Sequence, residues 1–128
     1  MTSPTSPASS AQQLPAPQPS VSARTAADLV AGGALLVDVR EDEEWKAGHA
    51  PDAVHVPLGA ITAGQRPAQV PDGADVVVVC RSGKRAAQAA DRLAAAGVAV
   101  RNLDGGMQAW QDAGLPVRTD SGAPGTVA

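Results

Sequence analysis

Five apolar residues, Val76-Val77-Val78-Val79-Cys80, run without a polar break and end at Arg81-Ser82-Gly83-Lys84-Arg85. A continuous β-branched run is how a strand buried on both faces of a parallel sheet reads. The stretch from about Arg85 to Ala96 then repeats Ala86, Ala90, Leu93 and Ala94 at helical spacing, with Gly97 suited to a left-handed stop. A buried strand that passes through a short polar loop into an amphipathic helix is half of a βαβ unit. Such units assemble into parallel sheets covered by helices.

The rest of the chain repeats the alternation. A short helix is expected over Thr25–Ala31 with Thr25 as its cap, and Gly32-Gly33 stop it. Ala34–Val39 is a second apolar run. Arg40–Lys46 has acids first and a base last, as a helix dipole favours, and its acidic run Glu41–Glu44 is read as a solvated helix start. Short strands are expected at Ala53–Val56 and Val98–Leu103, a loop at Thr62–Asp75, and a last helix from Met107 to about Ala113 after Asp104-Gly105-Gly106. The fold class is therefore α/β, with a mainly parallel sheet.

In domain terms, residues 1–21 are Pro/Ser/Ala/Gln-rich without apolar periodicity and are expected to be a disordered tail. Residues 22–118 form one domain of common size, and residues 119–128 are expected to be flexible. The start lacks the basic segment and apolar run of a secretory signal, and no run approaches the ~20 apolar residues of a spanning helix. A net charge of −3 argues against general affinity for nucleic acid or anionic membranes. One cysteine permits no internal disulfide and is too little for a thiolate metal site, so no metal and no cofactor are expected. A free thiol suits a reducing cytoplasm.

Cys80 ends its strand where open parallel sheets bind ligands, facing the N–H groups that begin the next helix. Arg81, Lys84 and Arg85 add three cations, and Gly83 lets the backbone curl into an anion-binding nest. A helix end contributes only about 0.3–1 kcal/mol, less than the ~1.36 kcal/mol of one pKa unit. The helix alone is too weak. Together with the cations and several N–H donors, it is expected to hold the sulfur as a reactive thiolate.

Five motifs stand in order: Asp38-Val39-Arg40-Glu41, Gly48-His49-Ala50-Pro51, His55-Val56-Pro57-Leu58, Cys80 to Arg85, and Gly105-Gly106-Met107-Gln108-Ala109-Trp110. From about Thr25 to Val117 the chain resembles the rhodanese family. The resemblance implies a three-layer domain with a five-stranded sheet, and Cys80 as the catalytic residue. Arg81, Ser82, Gly83, Lys84 and Arg85 would form the substrate-binding loop. It implies a sulfurtransferase that takes sulfane sulfur from thiosulfate or a similar donor, holds it as a Cys80 persulfide, and passes it to cyanide, a thiol or a protein acceptor. Asp38 would brace the loop and Arg40 would pair with acidic neighbours or orient the donor, rather than forming a surface ion pair. His49 would be structural, bonding loop backbone, and His55 carries no motif role. Gly105 and Gly106 would let the backbone pass beside the cradle while Trp110 covers core. Asp52 stands where the family usually has Gly, so that turn is expected to be built differently.

Two alternatives are weighed. A non-catalytic module would hold a persulfide or an anion for a partner protein, but the intact Cys80 and its cationic loop favour catalysis. Phosphatases of related type place Arg six positions after the nucleophile; here that position is Ala86, so phosphatase is the weaker reading.

Overall fold

The computed structural model describes residues 18–128. Five parallel strands form one sheet: β1 (Ser20–Val21), β2 (Leu35–Asp38), β3 (Val54–His55), β4 (Asp75–Val79) and β5 (Ala99–Leu103), in the order β1-β5-β4-β2-β3. Four helices flank it: α1 (Ala23–Ala31), α2 (Asp42–Ala47), α3 (Lys84–Ala95) and α4 (Gly106–Asp112), with a 3-10 turn at Leu58–Ala60.

The pleat of β4 explains why its sequence is apolar throughout. Val76, Val78 and Cys80 face one core with Ala86, Ala89, Ala90 and Leu93 of α3, while Val77 and Val79 face a second core with Leu36, Leu103, Met107 and Trp110. Successive side chains point to opposite faces, so a strand between two helical layers has no polar side. The winding direction reverses between β2 and β4, which are paired from Leu35–Val76 to Asp38–Val79. The crevice beyond their carboxyl ends is thus the expected ligand position of the sheet.

Several boundaries differ from expectation. The first helix begins earlier because Ser22, not Thr25, is its cap: Ser22 Oγ accepts the Thr25 N–H at 3.1 Å. Ser20 and Val21 belong to the sheet rather than to the tail, pairing with Asn102 and Leu103 of β5. The remainder of the expected tail, residues 1–17, lies outside the described residues.

Residues 119–128, expected to be flexible, follow Arg118 in a segment that makes backbone bonds to the rest of the domain. Arg118 and His49 exchange backbone bonds at 2.8 and 2.9 Å, Gly125 N donates to Val117 O, and Thr126 N donates to Ala47 O, both at 2.9 Å. This strap crosses Gly48 so closely that a Cβ there would lie 2.6 Å from the Thr126 backbone. The Asp52 turn needs no glycine: Ala53 N donates to Ala50 O at 3.0 Å, and no non-glycine described residue has positive φ.

Asp38 and Arg40 are fully buried, and of the two roles expected of Arg40 the pairing with an acidic neighbour is the one present. Arg40 Nε and Nη2 donate to the Asp38 carboxylate at 2.8–3.0 Å, and Arg40 Nη2 also reaches Gly48 O at 2.7 Å. Asp38 therefore meets Arg40 instead of the loop after Cys80, and Arg40 is too deep to orient a ligand. The pair ties the end of β2 to the Gly48 turn. Removing one partner strands the other's charge, so Arg40→Met should cost about 3–5 kcal/mol, whereas Asp38→Asn with Arg40→Met should cost far less. Urea unfolding of the two variants checks this.

Candidate active site

Cys80 lies immediately beyond β4 and is 1% exposed. Its Sγ accepts the Gly83 N–H at 3.0 Å. Gly83 has φ 118°, a left-handed conformation that turns the loop into α3 and suits glycine.

The orientation of the other loop peptides follows from where their carbonyls go. Met107 N donates to Cys80 O at 2.7 Å and Gln108 N to Arg81 O at 3.1 Å, so the start of α4 takes both oxygens. Gly83 O accepts from Ala87 N at 3.0 Å and, at 3.4 Å, from Asn102 Nδ2 of β5. No described peptide is cis. In a trans peptide the N–H points opposite to its C=O, so the N–H groups of Arg81, Ser82 and Lys84 face away from these donors. They have no protein acceptor among the described residues. These three N–H groups are left open beside Cys80, and Gly83 N is the loop donor that bonds its sulfur.

Gly105 and Gly106 make that arrangement possible. Their φ values are 78° and 60°; a Cβ on Gly106 would overlap the Cys80 and Arg81 carbonyls, and one on Gly105 would lie 2.7 Å from Ala109 Cβ. The expected close passage is a direct docking of α4 under the loop.

The three loop cations have different fates. Arg85 Nη1 and Nη2 donate to both oxygens of Glu44 at 2.6 and 2.9 Å. The Arg85 hydrogen bond, with the Glu41 N–H and nearby positive charge, outweighs burial and holds the Glu44 carboxyl down at about 2. The same bond raises Arg85 above its ordinary value. Arg81 turns outward: its Nε donates to Ala128 O at 3.1 Å, and Gln108, with its amide oxygen facing the guanidinium, accepts at 3.2 Å. Lys84 is exposed and has no partner among the described residues. Ser82 is exposed beside it.

The His49 side chain bonds backbone of helix α2 and not of a loop. Its Nδ1 donates to Trp45 O at 2.7 Å, Nε2 lies 3.3 Å from Asp120 of the strap, and its ring stacks on Trp45 at 3.5 Å. His55, without a motif role in the sequence, stacks on the same Trp45 and donates from Nε2 to Arg40 O at 2.7 Å. Sequence reasoning missed Glu44, Asn102 and Gln108. Only Glu44 had a signal, the Glu41/Glu44 spacing of a capping box, and that box is formed. The solvated reading of the acidic run is thereby corrected at Glu44.

The sequence profile of the rhodanese-like domain matches residues 22–113. The chain belongs to the rhodanese-like domain family. It is 44% identical over 97 residues to an HTH-type transcriptional regulator of Mycobacterium tuberculosis, covering 73% of this chain and 41% of the regulator. The chain thus spans less than half of that relative's length. A protein of Allochromatium vinosum named sulfurtransferase is 42% identical over 89 residues, covering 69% of this chain and 81% of the relative. Among solved structures, a rhodanese-like domain protein from Staphylococcus aureus superposes with a TM-score of 0.65 at 28% identity, covering 73% and 91% of the two chains. The rhodanese-like fold, a parallel five-stranded sheet between helical layers, is as the motifs implied.

The Glu44 carboxyl predicts an acid limb of stability. Its folded value of about 2 lies below the ordinary 4.5, so its contribution is complete above pH 4.5 and is lost as pH falls toward 2. Glu44→Gln should flatten the stability profile over that window, as measured by thermal unfolding at each pH.

Proposed function

We propose that this rhodanese-like domain is a sulfurtransferase that carries sulfane sulfur on Cys80. The observation that carries the reading is the ring of N–H groups that the loop can offer an anion at Cys80: Gly83 N–H bonds the sulfur at 3.0 Å, and those of Arg81, Ser82 and Lys84 have no acceptor among the described residues. Such a ring favours a sulfur anion at its centre in both chemical states, thiolate and persulfide.

In the first half-reaction the Cys80 thiolate attacks the outer sulfur of a donor. A sulfur–sulfur bond forms to Cys80 as the donor's own bond to that sulfur breaks. With thiosulfate the leaving group is sulfite, which takes the bonding pair; the persulfide left on Cys80 keeps one negative charge. In the second half-reaction a thiophilic acceptor, such as cyanide or a thiol, attacks the outer sulfur and restores the thiolate. This is covalent catalysis split into two displacements. No group in the ring has to change protonation.

The ring is poorly matched to phosphate esters. An Arg clamp at the sixth position would be needed for the equatorial oxygens, and that position is Ala86, fully buried against the α3 core. The guanidinium before it is committed to Glu44. The name of the Allochromatium vinosum relative supports sulfur chemistry in the family. The sulfur donor and acceptor are the partners this reading requires, within a cytoplasmic setting that suits a free thiol.

Incubation with thiosulfate followed by intact-mass and peptide mass spectrometry should show one added sulfur atom on Cys80, removable by cyanide. Cys80→Ser should take up no sulfur and form no thiocyanate, while keeping its fold by circular dichroism. Retained thiocyanate formation in Cys80→Ser would overturn the proposal.

A further inference from the structure

The loop after Cys80 has three cations in sequence, yet its electrostatics are set by a residue from another helix. Glu44 of α2 meets Arg85 through two bonds of 2.6 and 2.9 Å, and its side chain is only 18% exposed. The carboxylate is held from both sides, because the Glu41 N–H donates to Glu44 Oε1 at 3.0 Å in the α2 capping box. A bidentate, partly buried pair of this kind is geometrically fixed, unlike a flexible surface pair. Arg81 meanwhile directs its guanidinium toward Ala128 O and Gln108. Lys84 is the one cation of the loop without a partner among the described residues.

We propose that Glu44 is a specificity-determining residue: by cancelling the charge of Arg85, it matches the ring to monoanionic persulfide donors, R–S–S⁻, over the thiosulfate dianion. The inference rests on the persulfide reading of Cys80 given above.

The argument compares what the two donors bring. Both deliver one sulfur to the Cys80 thiolate, and both leave the same Cys80 persulfide within the ring of N–H groups. They differ in the half that departs. A persulfide donor breaks its S–S bond and leaves as a thiolate carrying one negative charge. Thiosulfate breaks its S–S bond and leaves as sulfite carrying two. Summed with the Cys80 thiolate, the site must accommodate two negative charges in the first case and three in the second. The backbone donors serve the transferred sulfur in either case, so the extra charge falls on cations outside the ring. Arg85 is the second residue of α3, two positions after the Gly83 whose N–H bonds the sulfur at 3.0 Å, which keeps its charge close to the site. Glu44 removes that help, and Lys84 alone suffices for a monoanion.

Charge, rather than packing, is tested with three variants of the full chain: Glu44→Gln, Arg85→Gln and the double variant. Each is assayed with thiosulfate and with the persulfide of 2-mercaptoethanol, whose organic half is uncharged, cyanide being the acceptor, and kcat/KM is measured for both donors. Freeing Arg85 in Glu44→Gln should raise the thiosulfate-to-persulfide ratio of kcat/KM by about tenfold, the scale of one uncompensated charge nearby in partly screened surroundings. Added salt should shrink that gain. Arg85→Gln leaves the Glu44 carboxylate alone and should lower the ratio below wild type. The double variant restores a neutral pair and should return the ratio close to wild type, even where both absolute rates fall. If Glu44 only anchors the loop, both donors decline together and the ratio stays constant across the variants, which overturns the inference. Absence of sulfur on Cys80 from either donor overturns the persulfide reading itself, and this inference with it.

Discussion

The start of α4 lies under the loop that follows Cys80, and the remaining site geometry depends on that contact. Met107 and Gln108 donate their N–H groups to the carbonyls of Cys80 and Arg81. A peptide is planar and trans, so fixing the oxygens on one side fixes the N–H groups on the other. The same two bonds satisfy donors at the start of α4 that have no helical partner. One contact thus closes a helix end and leaves loop N–H groups open beside Cys80. It works only because Gly106 brings no Cβ between the two backbones.

A second layer holds this arrangement from the β2 side. The buried Asp38–Arg40 pair grips Gly48 O, and the strap from Val117 to Ala128 lies across Gly48 to reach Arg81. Trp45 stacks on His49 and His55, which bond to Trp45 O and Arg40 O in turn. Asp38, Arg40, Trp45, His49 and His55 thus tie one another and the neighbouring loops together. Buried ion pairs contribute little net stability when compared with apolar replacements; here the pair fixes the relative position of two loops.

Much of the fold was legible because it depends on local pattern. The unbroken run Val76–Cys80 can only be a strand covered on both faces, and the α3 repeat of Ala86, Ala90 and Leu93 supplies one cover. The same adjacency made Cys80 and Gly83 readable as a site, since strand end, loop and helix start are consecutive in the chain. Contacts between distant segments were not legible. Glu44 meets Arg85 across 41 positions, and Asn102 meets Gly83 across 19. The Gly/Ser/Thr-rich stretch after Val117 gave no sign of its bonds to His49 and Ala47, because those are backbone bonds that any residue can make.

The order of residues sets the alternation of strands and helices, the parallel sheet, and a lone thiol at a strand end before a glycine-turned cationic loop. These are consequences of hydrophobic period and backbone freedom, which act over a few residues. Which of the loop's charges remain available is settled by contacts between distant segments. The fold pairs Arg85 with Glu44, turns Arg81 toward Gln108 and Ala128, buries Arg40 against Asp38, and leaves Lys84 in solvent. The reason is physical: a charge acts according to its distance from other charges and from water, and neither distance is written in the order of residues.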